Sequence, residues 1–97
     1  MADSLGAPLH LPFSFALVRD HVARMVAVGD DAIKDCIGSM FRDLKVAAEP
    51  APAAGLAALI GPLREELAGR HVVLLVCGAN IDETTFARYL AGAAAGA

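Results

Sequence analysis

A chain of 97 residues, 57% of them apolar, has room for one small domain and too much apolar surface to stay disordered. Its formal charge of −3 and pI near 5.4 leave no basic face for nucleic acid or acidic lipid. No apolar run reaches the roughly 18–20 residues of a bilayer span, and the start lacks a charged-then-apolar leader pattern, so a cytoplasmic setting without membrane partners is expected.

Alanine supplies more than a third of the apolar residues, so the larger side chains amount to an ordinary core for this length. Cys36 and Cys77 show no zinc-type spacing, and nothing else suggests secretion. Both are read as reduced thiols.

The spacing of Phe13, Leu17, Val18 and His21 predicts a first helix over residues 13–22, with Ser14 as a candidate cap and Pro8 and Pro12 extending the segment before it. Residues 25–28 are a short β-prone stretch that stops at Gly29-Asp30-Asp31, where a carboxylate can cap a second helix starting near Asp31. Ile33, Cys36, Ile37, Met40, Phe41 and Leu44 recur at steps of three and four, with Lys34, Asp35, Arg42 and Asp43 opposite. This is the clearest amphipathic helix in the chain.

Residues 46–48 read as a brief extended piece, and Pro50 biases Glu49 away from helical angles. An alanine-rich stretch over 53–60 predicts a closely packed helix; Gly61-Pro62 interrupts it, and Leu63, Glu66 and Leu67 resume a helical turn or two before Gly69. Residues 71–77, His-Val-Val-Leu-Leu-Val-Cys, form an unbroken apolar run. That pattern predicts a strand buried on both faces, as in a parallel sheet covered by helices. Gly78-Ala79-Asn80 is a turn at its carboxyl end, and Asp82 caps a last helix over 83–90 with Phe86, Tyr89 and Leu90 inward. Residues 91–97 are an alanine and glycine tail expected to be frayed or disordered.

The order of elements reads as α/β. A strand covered on both faces needs more neighbours than this chain offers, so the chain is expected to be part of a larger unit.

In open α/β sheets ligands bind beyond the carboxyl ends of strands, which makes Cys77, Gly78 and Asn80 the best-placed candidates. A thiol, a glycine that admits a ligand to the backbone, and an amide can grip a flat ligand; a buried cysteine before an ordinary turn explains the same residues. Glu49 is a lone carboxylate in an apolar stretch, either tuning a ligand or facing water from a loop. Asp3, Ser4 and Gly6 make a polar turn. His10, His21 and His71 lack metal-ligand spacing, Asp30-Asp31 reads as a cap, and no metal site is expected.

Four segments together resemble the pyridoxal-phosphate-dependent threonine/serine dehydratases of the tryptophan-synthase β-type fold (fold type II). Ala2-Asp3-Ser4-Leu5-Gly6 is similar to that family's A-D-G/S-L/I segment, and Val26-Ala27-Val28-Gly29-Asp30-Asp31-Ala32-Ile33 to its V-x-V-x-D/E-D/E-x-I stretch. Val46-Ala47-Ala48-Glu49-Pro50-Ala51 resembles V-x-x-E-P-A/S, and Val73-Leu74-Leu75-Val76-Cys77-Gly78-Ala79-Asn80-Ile81 resembles its strand followed by S/C-G-G-N-I.

The resemblance implies that residues 1–90 are the C-terminal segment of the large domain of such an enzyme, a portion of a helix-covered, mainly parallel sheet that is incomplete alone. It implies pyridoxal 5'-phosphate as cofactor and a small hydroxyamino acid as substrate, converted to a 2-oxo acid and ammonia. Cys77 would lie beside the pyridine nitrogen with Gly78 and Asn80 close by, and Glu49 would approach the ring or the substrate. A neutral thiol there leaves the ring nitrogen largely unprotonated, which suits prompt loss of a β-hydroxyl. The family's Schiff-base lysine and glycine-rich phosphate loop lie upstream of the matching region, and neither Lys34 nor Lys45 has their context. Ala79 stands where glycine is common, and Pro52 where the glycine of E-P-S/A-G often falls. The chain alone is therefore expected to have no catalytic residue of its own and to need the N-terminal part or an oligomer. A different class of reading makes it a non-catalytic association or small-ligand module derived from that family.

Overall fold

The computed structural model describes residues 1–95. A short helical turn, Asp3–Leu5, precedes four helices: α1 (Pro12–His21), α2 (Asp30–Ser39), α3 (Pro50–Ile60) and α4 (Glu83–Ala95). A wider π-helical turn, Met40–Leu44, prolongs α2.

Helix α2 is the centre of the molecule, packing against both α3 and α4. Its buried residues Ile33, Cys36, Ile37 and Met40 are the apolar stripe that the spacing predicts, and they join Ala48, Ala53 and Ala57 in one core cluster. The stripe ends earlier than predicted, because Phe41 is 40% and Leu44 60% exposed. The π turn accounts for this: its longer-period bond, Lys45 N–H to Met40 O, rotates later side chains away from the α-helical stripe. Lys45 closes it in a left-handed conformation, φ 59°. Phe41 instead meets Phe86 of α4 edge to face, ring centroids 5.4 Å apart.

Small residues set the other contacts. A Cβ at Gly38 would lie 2.7 Å from the Cβ of buried Ala93, so α2 and α4 cross where neither has bulk. This crossing explains why α4 continues to Ala95 past the expected end near Leu90: alanine favours helix, and Ala93 is anchored in the packing. The expected tail is thus helical over 91–95, while Gly96 and Ala97 lie outside the described residues.

Helix α3 starts at Pro50, in the first-turn position where its missing N–H costs nothing, and Glu49 before it is extended at φ −73°, ψ 171°. Asp82 caps α4 as predicted, its carboxylate accepting the Thr85 N–H at 2.9 Å. Other caps differ. Ser14 donates its hydroxyl to Leu11 O at 3.0 Å within a helix that begins at Pro12, and Gly29 occupies the N-cap of α2. Asp30 and Asp31 fall in the first turn of α2, where Asp30 pairs with the Met1 ammonium and Asp31 with Lys34. Past Gly61, where a helical turn or two is expected, the chain forms successive turns, bonded Arg64 N–H to Gly61 O at 3.2 Å, Leu67 N–H to Leu63 O at 3.0 Å and Arg70 N–H to Leu67 O at 3.1 Å.

No strand forms among the described residues. Residues 71–77 are without helix or ladder, and the expected burial on two faces is not found: Val73 is 95% and Leu75 79% exposed. Leu74 alone turns toward the helices, close to Gly55 of α3. A parallel strand needs neighbours brought from distant sequence, and the other β-prone pieces, 25–28 and 46–48, do not pair with it. Helix α1 buries no residue and leaves Phe13 77% exposed. The radius of gyration, 14.5 Å, exceeds the roughly 13 Å of a compact 100-residue domain, in keeping with these uncovered segments.

Candidate functional site

The chain turns sharply after Cys77. Gly78 has φ +114°, open only to glycine at low cost, and the carbonyl of Ala79 accepts the Ile81 N–H at 2.9 Å. This turn lies against Glu49, which stands at the junction of the extended 46–48 piece and α3 because Pro50 keeps it out of the helix. Glu49 N–H donates to Gly78 O at 3.2 Å, and the Glu49 carboxylate accepts the Asn80 N–H on Oε2 at 3.0 Å. Its other oxygen, Oε1, accepts the Ser4 hydroxyl at 3.2 Å. A Cβ on residue 78 would sit 2.7 Å from Glu49 Cδ and Oε1, so the absence of a side chain at Gly78 is what allows the carboxylate its place.

Glu49 and Asn80 line a cleft of about 540 Å³, closed on one side by Ala2, Asp3 and Ser4 and on another by Pro50 and Ala51. The structure therefore brings three of the four sequence-predicted residues, Glu49, Gly78 and Asn80, into one bonded constellation. The fourth, Cys77, is a free exposed thiol, and neither it nor Gly78 is among the cleft's lining residues. Ser4 is the residue that sequence reasoning left in a featureless polar turn. Only its membership in the Ala2-Asp3-Ser4-Leu5 segment hinted at the site, since its contact with Glu49 spans 45 residues of chain.

Titrating groups outside the cleft are shifted. Burial pushes the Cys36 thiol up, with Asp35 adding to the effect, and hydrogen bonds from Thr85 hold Asp82 below the usual carboxylate range. Neither faces the cleft. Lys34 donates to Asp31 at 3.1 Å and Lys45 to Arg42 O at 2.6 Å, both away from it. Among the described residues no cluster of three His, Cys, Asp or Glu side chains is placed to hold a metal, and no helix is long and apolar enough to cross a membrane.

What the cleft offers is therefore polar but without a cation: the pinned carboxylate of Glu49, the carboxylate of Asp3, the hydroxyl of Ser4 and the amide of Asn80. No lysine or arginine lines the cleft to meet a phosphate.

Comparison with known proteins places the chain in a family. Phenylserine dehydratase of Ralstonia pickettii is 48% identical over 90 residues, covering 93% of this chain and 28% of that protein. L-threonine ammonia-lyase of Thermotoga maritima is 35% identical over 82 residues, 84% of this chain and 20% of the relative. Serine racemase of Oryza sativa is 35% identical over 86 residues, 84% of this chain and 25% of the relative. The chain thus spans between 20% and 28% of the length of these proteins. No solved structure matches it significantly. The family described as pyridoxal-phosphate dependent enzyme matches residues 1–78, most of the chain and three of the four site residues, and the chain belongs to that family.

Proposed function

We propose that this chain forms the ring-nitrogen side of the cofactor site of a pyridoxal-phosphate-dependent hydroxyamino-acid dehydratase. The observation that carries the reading is the constellation of Glu49, Gly78 and Asn80, held by bonds of 3.0 and 3.2 Å at the edge of an open cleft. Pyridoxal phosphate, when bound, supplies the electron sink that allows an α-proton and a β-hydroxyl to leave a hydroxyamino acid.

The chain's own residues do the rest of the work assigned here. Gly78, without a Cβ, lets the Glu49 carboxylate lie against the turn that follows Cys77. Cys77 ends the apolar 71–77 run and presents a thiol, which in neutral form brings no negative charge to hold a proton on the ring nitrogen. Glu49 accepts hydrogen bonds at both oxygens, so it orients polar groups as an acceptor. Asn80 fixes Glu49 with its N–H and keeps its side-chain amide for a ligand. Residues 71–77 join a parallel sheet completed by further sequence or by another chain, which covers Val73 and Leu75. The Schiff-base lysine and the phosphate loop come from that same remainder, so the substrate's carboxylate is not bound here, and threonine, serine and aryl-substituted relatives are alternatives.

Support comes from the relatives' activities: two of the three dehydrate or deaminate hydroxyamino acids, and the third is a racemase. A non-catalytic association module is the second reading, favoured by the exposed Val73 and Leu75. A chimera decides between them. Replacing the matching quarter of the Ralstonia pickettii enzyme by residues 2–90 of this chain should give a cofactor-loaded protein that releases ammonia from phenylserine. A folded chimera that does not load the cofactor would refute the proposal and leave the module.

A further inference from the structure

The Ser4 to Glu49 bond joins segments that share no secondary structure. The turn Asp3–Leu5 is closed by Leu5 N–H to Ala2 O at 3.1 Å and Gly6 N–H to Asp3 O at 3.0 Å, and it rests against α3. Its one side-chain bond to the other side of the cleft is Ser4 Oγ–H to Glu49 Oε1, 3.2 Å. That oxygen is also the one a Cβ on Gly78 would strike at 2.7 Å, so Oε1 lies between the Ser4 hydroxyl and the Gly78 backbone while Oε2 takes the Asn80 N–H at 3.0 Å.

We propose that Ser4 is a positioning residue that sets the orientation of the Glu49 carboxylate and draws the N-terminal turn across the cleft. The inference rests on the reading of Glu49 as part of the cofactor site for its functional meaning, and on the hydrogen bonds alone for its geometry. Glutamate has three side-chain torsions, and the last is broad, so one donor leaves the carboxylate free to rotate. Two donors approaching from different segments, one on each oxygen, define its plane. Removing the hydroxyl keeps Oε2 on Asn80 but releases Oε1, and the turn then loses its tie across the cleft. Threonine retains a hydroxyl on the same carbon and preserves the tie; alanine and glycine do not.

The test uses the 97-residue chain, labelled with 13C and 15N, without cofactor. In the unaltered chain, side-chain protons of Ser4 and Glu49 should show a mutual nuclear Overhauser effect, and its absence overturns the proposal whatever the variants do. Ser4→Ala should shift the Glu49 Cδ and Asn80 amide resonances and speed exchange of the Asn80 amide several-fold, with helical circular dichroism unchanged. Ser4→Thr should restore all three. Resonances unmoved in Ser4→Ala, or unrestored in Ser4→Thr, overturn it. The cofactor reading is measured separately, by adding pyridoxal phosphate to the chimera. A Ser4 effect in the free chain with no cofactor loading in the chimera keeps the geometric role and removes the catalytic setting; loading without a Ser4 effect does the reverse.

Discussion

Replacing Gly78 by alanine should cost this chain about 2–3 kcal/mol, and the sum follows from two contacts. The first is conformational. At φ +114° an L side chain is strained, by about 1–2 kcal/mol on the scale of left-handed residues. The second is steric. The new Cβ would stand 2.7 Å from Glu49 Cδ and Oε1 and 3.0 Å from Cγ, so Glu49 must swing away and give up the Asn80 N–H. A hydrogen bond to a charged group contributes about 1.5–3 kcal/mol in a dry setting; with Asn80 exposed and Glu49 half-buried, about 1 kcal/mol is a fair share. At a urea slope of about 1.5 kcal/mol per molar, the unfolding midpoint should fall by roughly 1–2 M, with the Asn80 amide resonance displaced. Gly92→Ala is the opposing control: nothing lies within 4 Å of its Cβ, so higher helix propensity should stabilise by about 1 kcal/mol. A Gly78→Ala chain with the parent's midpoint and Asn80 shift would refute the account of the turn.

Three further outcomes follow from the packing and the titrating groups. Gly38→Ala places a Cβ 2.7 Å from that of Ala93 and should lower stability by about 1–2 kcal/mol despite its better helix propensity, with Ala93→Gly on the same chain recovering part of the loss in thermal melts. Thr85 holds the Asp82 carboxyl low, so this group's stabilisation is present above the ordinary aspartate range and lost as pH falls through its lowered value. Asp82→Asn should therefore flatten the acid limb of α4 helicity followed by circular dichroism. Burial raises the Cys36 thiol, so its contribution is complete below the ordinary thiol range and lost as pH rises through the raised value; at pH 8, Cys77 should react with iodoacetamide quickly and Cys36 only on unfolding.

Features governed by local chemistry were legible in the amino-acid order. The apolar spacing of Ile33, Cys36, Ile37 and Met40 marks the core face of α2, the alanine-rich stretch marks α3 although the helix begins at Pro50 rather than near residue 53, and Asp82 marks the cap of α4. What failed depended on distant partners. The apolar run at 71–77 reads as a covered strand because its pattern presumes neighbours on both sides, and the described residues leave Val73 and Leu75 in water. The helical course of 91–95 depends on Gly38 meeting Ala93 across 55 residues of sequence, which no local rule detects. At the site, Gly78 and Asn80 stood out as a turn beyond an apolar run, and Glu49 as a lone carboxylate. That they bond to one another, with Ser4 as a further donor, is a tertiary fact.

The proposed cofactor site turns on Cys77 lying beside the ring nitrogen of pyridoxal phosphate. It is tested most directly by the 15N resonance of ring-labelled cofactor bound to the chimera carrying residues 2–90. The account predicts an unprotonated ring nitrogen with Cys77 and a protonated one in Cys77→Asp, accompanied by slower dehydration. An identical nitrogen shift in the two proteins would contradict it.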